Sequence, residues 1–199
     1  ATNGTANSIE DDSGNVVASF SASSLSDGAA PYQLSASYKD TNTDGTVDRV
    51  DIVFTESLTL SSYSSLDWSL PTASELTLLD TGASASSSTL LLTVSADSLE
   101  TGHTTAPTVL YTNNGGRLTD SSGNQTSTFA SVVSVTDAAG PVLVSTSPTN
   151  NAQDVEDEAP IIMTFTEPIQ TSSFDFSITG FSSLLTTGWS SGNSVVTLT

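Results

Sequence analysis

Short segments in which apolar and polar residues alternate run the length of the chain, separated by clusters of Gly, Asn, Asp, Ser and Pro. A period of two marks half-buried β-strands, and no stretch carries a convincing helical period. The alternation predicts strands at 32–38, 49–58, 66–70, 75–79, 89–95, 108–112 and 125–135. In the second, Val50, Ile52 and Phe54 share one face and Arg49, Asp51 and Val53 the other. In the last, Phe129, Ser131, Val133 and Val135 share a face. Asn113-Asn114-Gly115-Gly116 and the stretch from Asp120 to Asn124 read as tight turns. No apolar run approaches the ~20 residues that a spanning helix needs.

The pattern also repeats. Asp11, Gly14, Asn15 and Phe20 recur 109 residues later as Asp120, Gly123, Asn124 and Phe129. Asp27 and Pro31 recur at an offset of 110 as Asp137 and Pro141. Phe54-Thr55-Glu56 matches Phe165-Thr166-Glu167, and Asp67-Trp68 matches Asp175-Phe176. The repeating unit is therefore ~110 residues with about seven strands, the size and strand count of an immunoglobulin-like sandwich. The expected organisation is residues 1–26 as the C-terminal part of a preceding unit, 27–136 as a complete unit, and 137–199 as the N-terminal part of a following one. On that reading the chain is a piece of a longer array.

The segment AGPVLVSTSPTNNAQDVEDEAPIIMTFTEPIQ (139–170) resembles the opening of bacterial Ig-like domains found in S-layer proteins and large surface adhesins. The shared features are a Pro after the linker, a strand ending at Ser147-Pro148, a variable loop, and an inner strand ending Phe-Thr-Glu-Pro-Ile. The complete unit departs from this pattern, with Ser57 at the place of Pro168 and an acidic loop at the place of Ser147-Pro148. The resemblance implies an all-β fold of tandem immunoglobulin-like β-sandwiches, working as extracellular stalk or scaffold modules without catalytic residues.

Charge narrows the partners. Asp and Glu number 22 against three Lys and Arg, a net charge of −19. That balance repels phosphate backbones and anionic lipid surfaces, so neither nucleic acid nor membrane insertion is expected of this segment. There is no Cys, which excludes a disulfide framework, a thiolate zinc site and a cysteine nucleophile. The 37 Ser and 31 Thr suit solvent-facing strand surfaces, and the residues at the N-terminus do not read as a signal peptide.

The densest chemistry lies between the first two strands. Asp40, Asn42, Asp44, Thr46, Asp48 and Asp51 supply oxygen at positions 1, 3, 5, 7, 9 and 12 of a loop with Gly45 at position 6. Calcium takes six to eight oxygen ligands, and a Gly at position 6 permits the sharp turn such loops need. The loop resembles those of EF-hand and dockerin modules, with Asp51 where an EF-hand has Glu and a strand where it has a helix. The other reading is a solvated acidic turn, since Asp, Asn and Gly are ordinary turn residues. Asp27 and Asp137, each at a unit junction, offer a second calcium reading against a plain linker turn.

Other residues have structural explanations. Glu56 and Glu167 recur at the same place, which marks a module feature rather than a glycosidase pair. His103 reads as a loop residue, Lys39 as charge balance for the acidic loop, and Trp68 as core. Trp189 and Tyr111 are the two aromatic candidates for a sugar platform, and Asn3 and Asn124 fit the glycosylation acceptor pattern. The sequence thus predicts a non-enzymatic, extracellular or cell-surface scaffold: a stalk, S-layer or filament segment rigidified by calcium. Its partners would be neighbouring Ig-like units, a cell-surface or glycan ligand, or further copies in a homopolymer, with a neighbour's 1–26 completing 137–199. The alternative is a carbohydrate-binding or accessory module of a secreted polysaccharide-degrading enzyme.

Overall fold

A computed structural model describes residues 9–18, 24–74, 76–96, 101, 107–156, 158–176 and 186–199. The first nine strands are β1 (Gln33–Lys39), β2 (Arg49–Phe54), β3 (Thr59–Leu60), β4 (Trp68–Ser69), β5 (Leu76–Ser86), β6 (Thr89–Ala96), β7 (Thr108–Tyr111), β8 (Leu118–Thr119) and β9 (Phe129–Asp137). Seven of them join in the order β4-β7-β9-β1-β2-β6-β5, and β3 pairs with β8 apart from the rest. Helical structure among the described residues is confined to single 3₁₀ turns, the first at Ser65–Asp67.

Strand β1 makes one ladder out of two layers. It runs antiparallel to β2 and parallel to β9, with Ala36 opposite Val135 and Tyr38 opposite Asp137. On one side lie β1-β2-β6-β5, on the other β4-β7-β9, the four-plus-three division of an immunoglobulin sandwich. The alternation in β2 is realised: Val50, Ile52 and Phe54 are at most 2% exposed. They share a core with Tyr38, Leu90, Leu92, Val109, Tyr111, Phe129 and Val135. Trp68, Tyr111 and Phe129 pack as a trio, with ring centroids 4.5, 5.5 and 5.9 Å apart. The fold is all-β and Ig-like.

β5 is longer than the alternation predicts. It continues through a bulge between Leu78 and Ala83 to pair Ser86 with Thr89 of β6. At the bulge, a Cβ on Gly82 would lie 2.3 Å from the Thr93 side chain, so the backbone approach there requires glycine.

Four further strands, β10 (Leu143–Ser147), β11 (Ile161–Phe165), β12 (Thr187–Ser190) and β13 (Val195–Leu198), form a separate sheet in the order β10-β11-β13-β12. This is the order of β1-β2-β6-β5. Hydrogen bonds repeat as well. The amide of Thr55 donates to Tyr32 O (2.9 Å) and that of Thr166 to Val142 O (3.0 Å). The amide of Tyr32 donates to Thr55 Oγ1 (3.1 Å), and that of Val142 to Thr166 Oγ1 (2.9 Å). The second core is small: Met163, Val196 and Leu198 are buried, with Ile161, Phe165, Phe174 and Trp189 packed against them.

Candidate metal-binding loop and acidic cluster

Residues 40–48 link β1 to β2 as an antiparallel connection. Its base is tied down by the Asp48 amide donating to Lys39 O (3.0 Å), by the Val94 amide donating to Asp48 O (2.9 Å), and by Val47, 1% exposed. Above that base the acidic side chains accept hydrogen bonds from the loop itself. Asp40 Oδ2 accepts from the Gly45 amide (2.8 Å) and Oδ1 from the Asp44 amide (3.3 Å). Asn42 Oδ1 also accepts from the Asp44 amide (3.0 Å), and Asn42 Nδ2 donates to Asp44 Oδ2 (2.9 Å). Asp44 Oδ1 accepts from the Thr46 hydroxyl and, at 2.9 Å, from the Thr46 amide. Asp48 accepts from the Thr41 hydroxyl (2.6 Å) and amide (3.1 Å).

This arrangement explains how so many carboxylates share nine residues. The hydrogen bonds to Asp44, first from the Thr46 hydroxyl and amide and then from Asn42, hold its carboxyl below the usual aspartate value of 3.8. Gly45, at a φ of 90°, supplies the left-handed turn that lets its amide face Asp40. The donors Asp40, Asn42, Asp44, Thr46 and Asp48 are all hard oxygens, the set that calcium or magnesium takes.

Asp51 does not join them, which corrects its expected role as the twelfth-position ligand. The strand alternation places it on the face of β2 with Arg49, where it is 6% exposed. There Lys39 Nζ lies 2.6 Å from one oxygen and Arg49 Nε 2.7 Å from the other. Lys39 therefore balances Asp51 rather than the loop. A buried carboxylate flanked by two cations is already compensated.

A second acidic place forms where the sequence shows only separate recurring residues. Oxygens of Asp27, Glu56 and Asp120 lie within 4.8 Å of one another. Asp27 precedes β1, Glu56 follows β2, and Asp120 opens the turn after β8. Asp120 is 3% exposed, and its Oδ1 accepts from the Ser122 and Asn124 amides, both at 2.8 Å. Burial pushes its pKa up; the bonds from Asn124, Ser122 and Gly123 outweigh this and leave the carboxyl below the ordinary value. Glu56 goes the other way, raised by burial first and then by Asp27 and Asp120. Asn124 Nδ2 donates to Asp120 Oδ2 (2.8 Å) and to Asp27 O (3.2 Å), so the candidate glycosylation amide is part of this corner.

The second sheet carries the same ingredients. Asp137 caps its own turn through the Ala139 amide (3.0 Å) as Asp27 does through that of Ala29 (3.0 Å). Burial, and then Asp137, raise Glu167 above its usual value against a hydrogen bond from Thr101. The signal that could have found the Asp27–Glu56–Asp120 convergence was the shared recurrence of all three.

The aromatic candidates separate. Tyr111, 2% exposed, is core, which removes it as a sugar platform, and Trp68 is core as expected. Trp189 packs edge-on against Phe174, with centroids 5.0 Å apart. His103 and Asn3 lie outside the described residues.

The strand order and layering define an immunoglobulin-like module. Residues 137–199 match the family model of the bacterial Ig-like domain, whose members are typically non-catalytic surface or extracellular modules. No curated protein matches the chain, and no solved structure does. Among the described residues, no helix is long and apolar enough to cross a membrane.

Proposed function

We propose that the chain is a structural or adhesive segment of a long extracellular repeat protein, a surface stalk, S-layer or filament scaffold, ordered by calcium. The observation that carries this reading is recurrence: the same sheet order, junction turn and carboxylates at Asp27 and Asp137 and at Glu56 and Glu167. A catalytic group is needed once per protein, whereas a device that orients neighbouring units is needed at every unit. Calcium has two places to act, the 40–48 loop and the Asp27–Glu56–Asp120 corner. In each, oxygen ligands come from elements that a bound cation would hold together. The carbohydrate-binding alternative needs a row of exposed aromatics, and Trp68 and Tyr111 are core.

The test is the melting temperature of the full chain in excess calcium and in chelator. A metal bound only by the folded state at a hundred times its dissociation constant adds about 2.7 kcal/mol. For a domain near 100 residues that is a rise of roughly 10 °C or more. Asp44→Ala abolishes the rise if the loop is the site, and Glu56→Gln does so if the corner is. Equal melting with calcium and chelator overturns the calcium part of the reading.

A further inference from the structure

The passage from the first sandwich to the second sheet is short. β9 ends at Asp137, and the two residues after it are still held by the first sandwich. The Ala138 amide donates to Tyr38 O (3.1 Å), and Ala139, 9% exposed, packs into the first core. Val142 is already held by the second sheet, its amide donating to Thr166 Oγ1 (2.9 Å). Only Gly140 and Pro141 lie between. So short a linker limits how far the two units part. Their direction stays open unless another contact fixes it, since relative motion is the ordinary state of neighbouring domains with a small interface.

Thr101 supplies that contact. It lies between β6 and β7 of the first sandwich and is 0% exposed. Its hydroxyl oxygen is 2.6 Å from Thr166 Oγ1, and its side chain also bonds Glu167, both of them just past β11 in the second unit. The donors in this group can be assigned. The Val142 amide can only donate, so Thr166 Oγ1 accepts from it. A carboxylate accepts, so the Thr101 hydroxyl donates to Glu167. The Thr166 hydroxyl is then the donor to Thr101 Oγ1. The bonds thus run from Val142 through Thr166 to Thr101 and on to Glu167, crossing from the second unit to the first and back. Thr101 is the sole member on the first unit, and it both accepts and donates. Because its side chain is closed to solvent, water replaces it only if the joint opens. Removing its hydroxyl leaves the Thr166 donor without this partner, the asymmetry that makes a deleted buried hydrogen bond costly.

We propose that Thr101 is a latch that fixes the direction of the second unit on the first, the partner of this surface being the following unit of the same chain. The proposal rests on the reading of the chain as successive scaffold units. It does not rest on calcium, since each bond in the latch has its own donor and acceptor.

The native chain has no Cys, so two engineered ones are its only labelling points. Leu66 in the first unit is 86% exposed and Val155 in the second 45%. The full chain with Leu66→Cys and Val155→Cys takes a spin label at each, and pulsed electron paramagnetic resonance reads the distribution of distances between them. Thr101→Val keeps the size of the side chain and removes the hydroxyl, whereas Thr101→Ser keeps the hydroxyl. Fluorescence of Trp68 in the first core and of Trp189 against the second reports that both units remain folded. Thr101→Ala gives the same reading should valine disturb either unit. In chelator the parent and Thr101→Ser should show one narrow distribution, and Thr101→Val one roughly twice as wide, as the units regain independent motion. A broad distribution in the parent, a Thr101→Val chain as narrow as the parent, or a Thr101→Ser chain as broad as Thr101→Val overturns the proposal. The calcium arm separates the two readings. A parent narrow in chelator whose melting ignores calcium keeps the latch and loses the calcium reading. A parent narrow in calcium alone keeps the calcium reading and overturns the latch.

Discussion

Replacing Phe129 by Ala tests whether β9 closes the sandwich as described. Phe129 is 6% exposed and sits 5.5 Å from Tyr111 and 5.9 Å from Trp68, ring centroid to centroid. Truncating a buried Phe to Ala costs about 3–5 kcal/mol in lost burial and residual cavity. The two ring contacts place Phe129→Ala toward the upper part of that range, since each such pair contributes ~0.5–1.5 kcal/mol beyond burial. Native domains are stable by only ~5–15 kcal/mol, so the variant should lose about a quarter or more of its stability. The assay is urea unfolding followed by Trp68 fluorescence in a Trp189→Phe background, which leaves one tryptophan inside the affected cluster. A clear fall in the midpoint at unchanged slope is expected. A loss below about 1 kcal/mol would refute the reasoning, because a ring in that cluster cannot be removed so cheaply.

Other perturbations reach the remaining features. Arg117→Met leaves Asp67, 4% exposed, without its cation; Asn114 still donates at 3.1 Å, and a loss of about 3 kcal/mol is expected in the same urea assay. Gly45→Ala forces a side chain onto a φ of 90° and should cost about 1–3 kcal/mol, read as a lower melting temperature in chelator. Glu56 is held above the usual 4.5 by burial, then by Asp27 and Asp120, so its protonated form is favoured in the folded chain. Its stabilising effect is present below the ordinary value and lost as pH rises through the raised one. Glu56→Gln should therefore melt higher than the parent at pH 7 in chelator, with the gap closing toward pH 4; a gap independent of pH would contradict the assignment.

Much of the sandwich is readable from alternation, and Val50, Ile52 and Phe54 are the clearest case because both neighbouring strands are themselves apolar on that face. β5 was only half readable. Its continuation through Ala83–Ser86 is made of small residues with no apolar contrast, and its pairing depends on the close approach at Gly82. The parallel pairing of β1 with β9 joins residues 99 apart, Ala36 and Val135, and leaves no local signature. The loop's ligand spacing was visible as a motif. The fate of Asp51 depended on a fact of strand geometry: alternate residues face opposite sides, which sends it to Lys39 and Arg49. The acidic corner escaped because Asp27, Glu56 and Asp120 are far apart in sequence and each has a bland reading alone. Only the fold brings their oxygens within 4.8 Å.

A scaffold segment ordered by calcium is a claim about mechanical resistance, and single-molecule stretching of the full chain in calcium and in chelator addresses it most directly. The β1–β9 sandwich, residues 33–137, should release about 35 nm of contour at ~3.4 Å per residue. Calcium should raise the force of that event, and Asp44→Ala together with Glu56→Gln should return it to the chelator value. The same force with and without calcium would contradict the account.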